Sequence, residues 1–571
     1  MSLFLLTVCP VEMWWAEAEV WLIRALPVVM TLGLAACMMR KRLPRVNLAD
    51  CLVMVWWAAE ALRYYAGYGN FTVMAFYGFS ESVLLYIAMR LLFAMKPSDD
   101  RLIVVCLLCG CVYEAWVGFG QLAGSLGRGI GGNVIGTFLN SGPYSAYLAV
   151  GLSVAMACVK TEKLSCFSAD RPAYDRITLW RRLLPERCAA MVAVAAAVVM
   201  LSLTWSRAAL VAVGGVAVWL YHDELRHNRY RYVLAAVVAA LLVAAYLLKS
   251  GSADGRLLMW CGSLSAWCDA PWFGAGIGGF SQAYASGVTS FFKAHPDTLL
   301  LRSADVTDNA FCELLTIVVE QGVVGAAVFV VLLGLVFSRL RRRSVPLMCA
   351  LAALVIFSMF SYPFHQLPYR IIFVVICAWA VSGDTDASDG RGRHRYTVWV
   401  ATVAVTLPVC LLMRHTATLR MTAARDYRLL GGVDAVYVLK DYYDMLPLLD
   451  DNPYFLFSFG KALHSKARYN DSLYMLRLGR KVSADPMFSV LMGNNYRCMG
   501  LPGEAERCYK EAFDMMPNRI YPLYRLMLLY NEQGRHDACR RMAKRVVMFR
   551  EKVTSEATQE MKREAARLYG D

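Results

Sequence analysis

Charged residues are scarce in this sequence. Asp, Glu, Lys and Arg together make up 18% of the 571 residues, whereas 58% are hydrophobic and the mean hydropathy is +0.43. A soluble protein of this length has no core large enough to hide so much apolar surface. The scarcity of charge therefore excludes an ordinary soluble enzyme and indicates a membrane protein.

Several residue patterns that mark common active sites are also missing. Most of the 18 cysteines lie in apolar runs, and no cysteine pair is matched by histidines at zinc-binding spacing. There is no Ser-His-Asp arrangement, P-loop or basic-aromatic patch, so we expect no metal, no cofactor and no nucleic acid. The N-terminal stretch lacks the basic residues of a signal peptide, so we predict no cleavage there.

Long apolar runs recur along the first 415 residues. A spanning helix needs roughly 20 apolar residues, and about twelve runs qualify. The predicted spans begin near Val20, Leu48, Thr72, Leu102, Ser145, Ala189, Ala208, Val233, Phe311, Val345, Ile371 and Tyr396. They predict an all-α fold, a polytopic membrane helix bundle over residues 1–415.

The net charge of +15 is concentrated in alternate loops. Basic residues cluster at 40–45, 96–101, 160–187, 226–231, 339–343 and 391–395. Loops rich in Lys and Arg stay in the cytoplasm, so the large loop 249–310, which belongs to the other set, faces outward. An even number of spans places both termini outward as well.

The composition changes after the last predicted span. Residues 416–450 are predicted to form a linking helix, and residues 451–571 are polar, basic and helical in period. Tetratricopeptide offsets are occupied by Gly493, Tyr496, Gly500, Ala505, Tyr509, Ala512 and Pro517, and again by Tyr530 and Gly534. The pattern predicts an α-solenoid that binds a protein partner, the alternative being a stiff spacer.

Two arginines are prominent in the charge-poor outward loops. Arg207 lies in a tight turn between two predicted spans, and Arg256 lies near the start of the large loop. A guanidinium can hold phosphate through two parallel hydrogen bonds, so the pair predicts a site for a lipid-linked diphosphate. Alternatively, Arg256 pairs with Asp254 or Asp269, and outward arginines such as Arg370 extend to lipid phosphates.

Further candidate site residues lie in the same loop and after it. Asp308 and Asn309 precede an apolar run, where they either take part in chemistry or cap a helix. His295 is a lone loop histidine. Glu320 lies inside the apolar run and needs either an arginine or the loop backbone as partner. His365 lies between two prolines and is interpreted as shaping a turn.

The stretch Gly274-Ala-Gly-Ile-Gly-Gly279 matches the dinucleotide-binding pattern, but no βαβ unit surrounds it. A bend after Pro271 is the better interpretation. It brings backbone close to a ligand or to a neighbouring helix, and Gly276 is its candidate ligand contact.

Together these features resemble the O-antigen ligase and polymerase superfamily of polytopic glycosyltransferases, over a core of residues 131–382. The resemblance is carried by Gly136-Thr-Phe-Leu-Asn140, Thr204-Trp-Ser-Arg-Ala208, Gly255-Arg256 with Trp260, the stretch from Pro271 to Phe280, and Asn309-Ala-Phe311 leading to Glu320-Gln-Gly322 and Gly325.

The resemblance implies metal-independent transfer of a glycan from undecaprenyl diphosphate on the periplasmic side. It assigns substrate binding to Arg207 and Arg256, and to Ser206, Trp260 and Gly276 from the same motifs.

The family's catalytic histidine is expected where Asp308 and Asn309 stand. Either Asp308 takes over as the base, or His295 folds back to activate the acceptor hydroxyl, or the protein transfers poorly or not at all.

We therefore predict a glycosyltransferase of the bacterial inner membrane with a periplasmic repeat array. Its expected partners are the lipid-linked glycan, an acceptor such as lipid A-core or a protein hydroxyl, membrane lipids, and a protein bound by the array. The alternatives are a polymerase that joins lipid-linked repeat units, a non-catalytic envelope scaffold, and a transporter of lipid-linked glycans, which the lack of inverted repeats disfavours.

Overall fold

Every regular element that the structure describes is a helix. The computed structural model describes residues 12–40, 42–95, 100–124, 133–138, 140–166, 190–204, 206–227, 250–296, 298–382, 392–430, 439–551 and 554–570, and no strand occurs among them.

Fourteen of the described helices belong to the N-terminal part of the chain. They are α1 (Glu12–Met39), α2 (Leu48–Tyr65), α3 (Val73–Met95), α4 (Arg101–Leu122), α5 (Ser141–Cys166), α6 (Ala190–Thr204), α7 (Arg207–Leu220), α8 (His222–His227), α9 (Ser250–Asp269), α10 (Phe280–Ala294), α11 (Glu313–Arg343), α12 (Val345–Ser358), α13 (Leu367–Ala380) and α14 (Gly392–Leu429). Two 3-10 turns lie at Leu299–Ser303 and Pro363–His365.

Among the described residues, five stretches are long and apolar enough to cross a membrane: α3, α4, most of α5, α11 and most of α14. Five further apolar stretches are shorter, and they include α6, α7, α12 and α13. Each predicted span coincides with a described helix, except the span near Val233, which lies outside the described residues. The prediction of an all-helical polytopic membrane protein is thus confirmed.

The described helix ends beside three of the predicted basic loops, at 40–45, 96–101 and 339–343, lie at one end of the bundle, which we call the inner end. Arg343, which ends α11, donates to the carbonyl oxygens of Trp379 and Ala380 at 2.9 and 2.8 Å. Arg90 of α3 forms a buried ion pair with Asp50 of α2, with 2.8 Å between Nε and Oδ1. The helices therefore alternate in direction as the loop charges predict. The opposite end, which carries the large loop, is the outer end.

Helix α11 is broken near the outer end, at Gly322. This residue has φ 68° and ψ −170°, a backbone conformation open almost only to glycine. Such a break interrupts the helical hydrogen bonds on both sides of it. At a membrane boundary the freed amides and carbonyls need other partners, because little water is available to them.

The glycine-rich segment, residues 271–279, supplies these partners. It makes four backbone hydrogen bonds across the break: Ala275 N to Val319 O (2.8 Å), Gly276 N to Glu320 O (2.7 Å), Val323 N to Pro271 O (2.9 Å) and Val324 N to Trp272 O (3.2 Å). The carboxylate of Glu320 also accepts from the Gly278 amide at 2.9 Å. The predicted loop-backbone partner of Glu320 is therefore present.

The other side of the glycine-rich segment contacts the turn between α2 and α3. The amides of Asn70 and Thr72 donate to the carbonyls of Ala275 and Ile277 at 2.6 and 3.1 Å. A Cβ atom at Gly276 would press on the ring of Phe71. The segment is thus held between two parts of the membrane bundle.

Eight helices follow in the C-terminal part. They are α15 (Leu439–Leu449), α16 (Pro453–Ser465), α17 (Tyr469–Val482), α18 (Met487–Cys498), α19 (Pro502–Met515), α20 (Tyr521–Glu532), α21 (His536–Val547) and α22 (Glu556–Gly570). Successive helices pack as hairpins. Gly460 lies against Leu476 and Gly493 against Tyr509, so glycines stand where paired helices touch closely. The assignment to the tetratricopeptide family stays a prediction.

The structure shows no break at the predicted boundary between residues 415 and 416. Helix α14 continues through it to Leu429, because no proline or glycine follows Pro408 inside the helix. The first part of the predicted linking helix, up to Leu429, is therefore an extension of the last apolar helix.

The helical array packs on the outer end of the bundle. Asp451 accepts from the Val73 amide at 2.8 Å and pairs with Arg420 of α14 at 2.7 Å. At a second point, Asn518 donates to the Ala304 carbonyl at 2.7 Å, and Met516 is buried in the same apolar cluster as the loop helices α9 and α10. The array therefore lies on the same side as the large loop.

We predict that Gly322→Ala destabilises the protein by roughly 3 kcal/mol, because the new Cβ meets the Trp272 carbonyl and the backbone conformation becomes strained. The midpoint of thermal unfolding in detergent should fall. Gly334→Ala is the matched control in the same helix, since open space surrounds Gly334. It should be neutral or stabilising by up to about 1 kcal/mol. Equal effects of the two substitutions would contradict this account of the break.

Candidate functional site

Arg207 and Arg256 lie near each other at the outer end. Arg207 is the first residue of α7, directly after the N-cap Ser206, and Arg256 lies in the second turn of α9. Burial and the charge of Arg207 lower the pKa of the Arg256 guanidinium, while Tyr362 acts in the opposite direction. The two guanidiniums are thus close enough to sense each other, and Arg256 remains charged at neutral pH.

Arg256 forms neither of the ion pairs that the sequence left open. Asp254 and Asp269 are both described, and neither carboxylate lies within ion-pair distance of it. Its guanidinium carbon instead lies 5.7 Å from the centre of the Phe311 ring. The charge of Arg256 is therefore not neutralised by a neighbouring acid of its own helix.

Trp260 fixes the loop that faces these arginines. It lies one turn after Arg256 on α9, and its indole N–H donates to the Ala310 carbonyl at 3.1 Å. Asn309 acts locally: its side-chain oxygen accepts from the Phe311 amide at 3.1 Å. This bond holds Phe311 at φ 50°, an uncommon conformation for a residue with a side chain.

Asp308 bonds to the loop helix α10 and to neither of the two arginines. Its carboxylate accepts from the Ser281 hydroxyl at 2.9 Å. Asp308 does not cap the following helix, because α11 begins at Glu313 and its N-cap is Cys312. Asp308 lines a separate cavity instead.

This cavity has a volume of about 750 Å³ and runs between α2, α3, α11 and α13. Neither Arg207 nor Arg256 lines it. Its charged lining residues near the outer end are Glu81, Asp308, Glu313, Glu320, His365, Arg370 and Asp451. Most of the remaining lining is apolar, from Val53 on α2 to Leu332 on α11. The cavity is therefore amphipathic, with a charged mouth and an apolar body.

His365 belongs to the charged mouth of this cavity, although its sequence context was interpreted as shaping a turn. Its Nδ1 lies 3.8 Å from the carboxylate of Glu313, which also accepts from the Phe364 amide at 2.7 Å. The His365 side chain is 42% exposed, so loss of hydration lowers its pKa only in part. The neighbouring carboxylates of Glu313 and Glu320 raise that pKa above its usual value, although Arg370 opposes them. The two flanking prolines were the available signal, and they indicated only a turn.

Arg370 also differs from its expected role. Its guanidinium lies 3.6 Å from the carboxylate of Glu81, and both side chains are largely buried. It therefore does not extend to lipid phosphates. Glu81 was missed because an acid inside an apolar helix needs a partner that only the folded bundle reveals.

Two further predicted residues lie away from both sets of charges. His295 follows the last residue of α10, is exposed, and stacks on Phe291 with ring centres 4.8 Å apart. Gly276, within the glycine-rich segment, lies close to Asn70 and Phe71 of the turn between α2 and α3. The structure thus brings together Arg207, Arg256 and Trp260, and groups Asp308 with His365.

The arginine pair and the cavity meet at two aromatic rings. Phe311, next to Arg256, packs edge-on against Tyr362 at 4.9 Å, and Tyr362 lies 6.0 Å from the His365 ring. One cationic site and one site with acids and an imidazole therefore lie on either side of this aromatic pair.

We predict that His365 makes the stability of the protein depend on pH. Because its pKa is raised in the folded state, its contribution is fully present below the ordinary histidine pKa of about 6.5 and is lost as pH rises through the raised value. The difference in unfolding midpoint between the parent and His365→Asn should therefore shrink from pH 6 towards pH 9. Glu313→Gln should flatten the same profile, and a difference that stays constant across this range would contradict the pairing.

Comparison with known proteins identifies the same part of the chain. No curated protein matches this sequence. A family model described as O-antigen ligase matches residues 192–330. The matched stretch contains both arginines, Trp260, the glycine-rich segment and the break at Gly322. The chain therefore carries an O-antigen ligase domain within its bundle of apolar helices.

Proposed function

We propose that this protein transfers a glycan from an undecaprenyl-diphosphate carrier to the hydroxyl of an acceptor, a lipid A-core sugar or a protein side chain, at the periplasmic face of the inner membrane. An O-antigen ligase domain indicates glycan transfer in lipopolysaccharide-type biosynthesis. The observation that carries the finer proposal is the proximity of Arg207 and Arg256 at the outer end of the bundle.

Two neighbouring guanidiniums repel each other, and a bound diphosphate removes that repulsion. Each guanidinium offers a planar pair of N–H donors that matches two phosphate oxygens. Partial burial of Arg256 strengthens its attraction for an anion, because less water screens the charge. The pair is therefore suited to bind the diphosphate and to stabilise the negative charge that develops as it leaves.

The transfer breaks the bond between the anomeric carbon and the diphosphate oxygen, and the lipid diphosphate leaves with the electron pair. The acceptor oxygen forms the new bond to the anomeric carbon, and its proton passes to a base. Since a diphosphate is already a good leaving group, orienting the acceptor and stabilising charge supply most of the catalysis.

The positions of Asp308 and His295 favour Asp308 as that base. Asp308 lines the cavity together with Glu313 and His365, whereas His295 is exposed and stacked on Phe291. The Ser281 hydroxyl orients one oxygen of Asp308, which leaves the other for an incoming hydroxyl. His365 is the second proton acceptor that this cavity offers.

The apolar body of the cavity fits a lipid chain. Its lining between α2, α11 and α13 consists mainly of aliphatic and aromatic side chains. An amphipathic substrate can place its chain there and its polar group at the charged mouth. The array packs on the same end, which supports placing the array and the large loop together in the periplasm.

We predict that Arg256→Lys impairs transfer almost as much as Arg256→Ala, each by about 100-fold or more. Lysine keeps the charge but loses the planar pair of donors. The measurement is chemical analysis of surface glycans from a deletion strain that expresses each variant at equal level. Arg302→Lys, in the same loop but in the turn beside Asn518, is the control and should leave transfer unchanged. Full activity of Arg256→Lys would show that charge alone suffices.

We predict that Asp308→Asn lowers transfer by at least about 100-fold, because an amide still accepts from Ser281 but cannot take up the proton. Protein level and thermal unfolding should stay unchanged. Asp305→Asn is the matched control, since Asp305 faces Arg519 of the array and does not line the cavity. If Asp308→Asn retains transfer while His365→Gln abolishes it, the base is His365 and our assignment is wrong.

A further inference from the structure

Helix α9 presents an apolar face that no described part of the protein covers. Leu257, Leu264 and Cys268 are exposed and lie seven and four residues apart, so they share one side of the helix. The opposite side packs on α10, with Gly262 against Tyr284. Between Arg256 and Asp269 the helix has no charged residue. A helix face in contact with water normally carries charges, so this face needs an apolar environment.

Two large aromatic residues continue this surface into the glycine-rich segment. The side chains of Trp272 and Phe273 are 67% and 59% exposed. Backbone hydrogen bonds from Val323 and Val324 to Pro271 and Trp272 place them directly beside the break in α11. Two adjacent exposed rings at this position form a patch too apolar to be an ordinary water-facing loop.

The exposed face of α11 identifies what surrounds this patch. Between the break and Arg343, α11 exposes Val323, Val324, Val330 and Val331. It is among the least buried of the long apolar helices. The stretch from Val323 to Arg343 is about 32 Å long at the usual helical rise, close to the roughly 30 Å of a bilayer core. The arginines that end α11 mark the inner boundary, so the break marks the outer one.

We propose that Trp272, Phe273 and the Leu257–Leu264 face of α9 insert into the outer interface of the lipid bilayer. Trp272 and Phe273 are continuous with the lipid-facing side of α11 and lie at the depth where tryptophan is enriched in membrane proteins. The large loop then lies against the lipid surface on one side and under the array on the other. This inference does not depend on the reaction that the protein catalyses.

Site-specific photocrosslinking tests the proposal. Phe273 and Leu264 are each replaced by p-benzoylphenylalanine, and the full chain is reconstituted in vesicles of phosphatidylethanolamine and phosphatidylglycerol. Val330, on the exposed face of α11, provides the positive control, and Met548, which is exposed at the end of α21, the negative one. After irradiation, phospholipid adducts are measured by mass spectrometry and crosslinked dimers by gel electrophoresis.

We expect lipid adducts at positions 273 and 264 in amounts similar to those at 330, and at least roughly tenfold above those at 548. Crosslinked dimers at 273 or 264 in place of lipid adducts would overturn the proposal and show that a second copy of the chain covers this face. Adduct levels at 273 and 264 as low as at 548, with a normal yield at 330, would show that the face is in water and would equally overturn it.

Discussion

The outer end of this bundle depends on one constraint: a helix broken inside an apolar stretch must find new partners for its backbone. Gly322 breaks α11, and the glycine-rich segment restores four hydrogen bonds across the break. The same segment also bonds to the turn between α2 and α3. Because each end of the segment is tied to a different helix, its bends cannot shift without breaking hydrogen bonds where water is scarce. That rigidity fixes the position from which α9 and α10 extend.

The charges at the outer end fall into two groups of different character. Arg207 and Arg256 form a cationic site without a carboxylate partner for Arg256, whereas the cavity mouth combines acids with His365 and with Arg370, which Glu81 neutralises. The Phe311–Tyr362 pair lies between the groups. Under the proposed function, the arginines stabilise the leaving anion and a group at the cavity mouth accepts the proton. The separation then keeps the arginines from neutralising that base.

Much of the fold and part of the site could be predicted from sequence. Apolar runs and loop charges predict the helices and their alternation, because length and the positive-inside rule act locally. The closeness of Arg207 to Arg256 and the loop-backbone partner of Glu320 could be predicted, because a charge near a membrane boundary needs a specific partner.

The rest depended on contacts between distant segments. The pairing of His365 with Glu313 and of Arg370 with Glu81 joins residues on different helices, which no local pattern reveals. For the same reason, no local pattern shows that Asp308 accepts from the Ser281 hydroxyl and lines the cavity. The continuity of α14 through residue 415 was missed because a change of composition is not a change of backbone conformation.

The contacts of the array also set an order of assembly. Asp451, Met516 and Asn518, which cover the turn before α3 and the loop helices, leave the ribosome more than a hundred residues after the loop itself. Until they arrive, the apolar side of α10 around Phe280 and Tyr284 lacks its final cover. Since chains fold from the N-terminus as they are made, the loop reaches its final packing only when synthesis is nearly complete. A chain that is cut short before Asp451 therefore lacks the contacts that complete the packing of this loop.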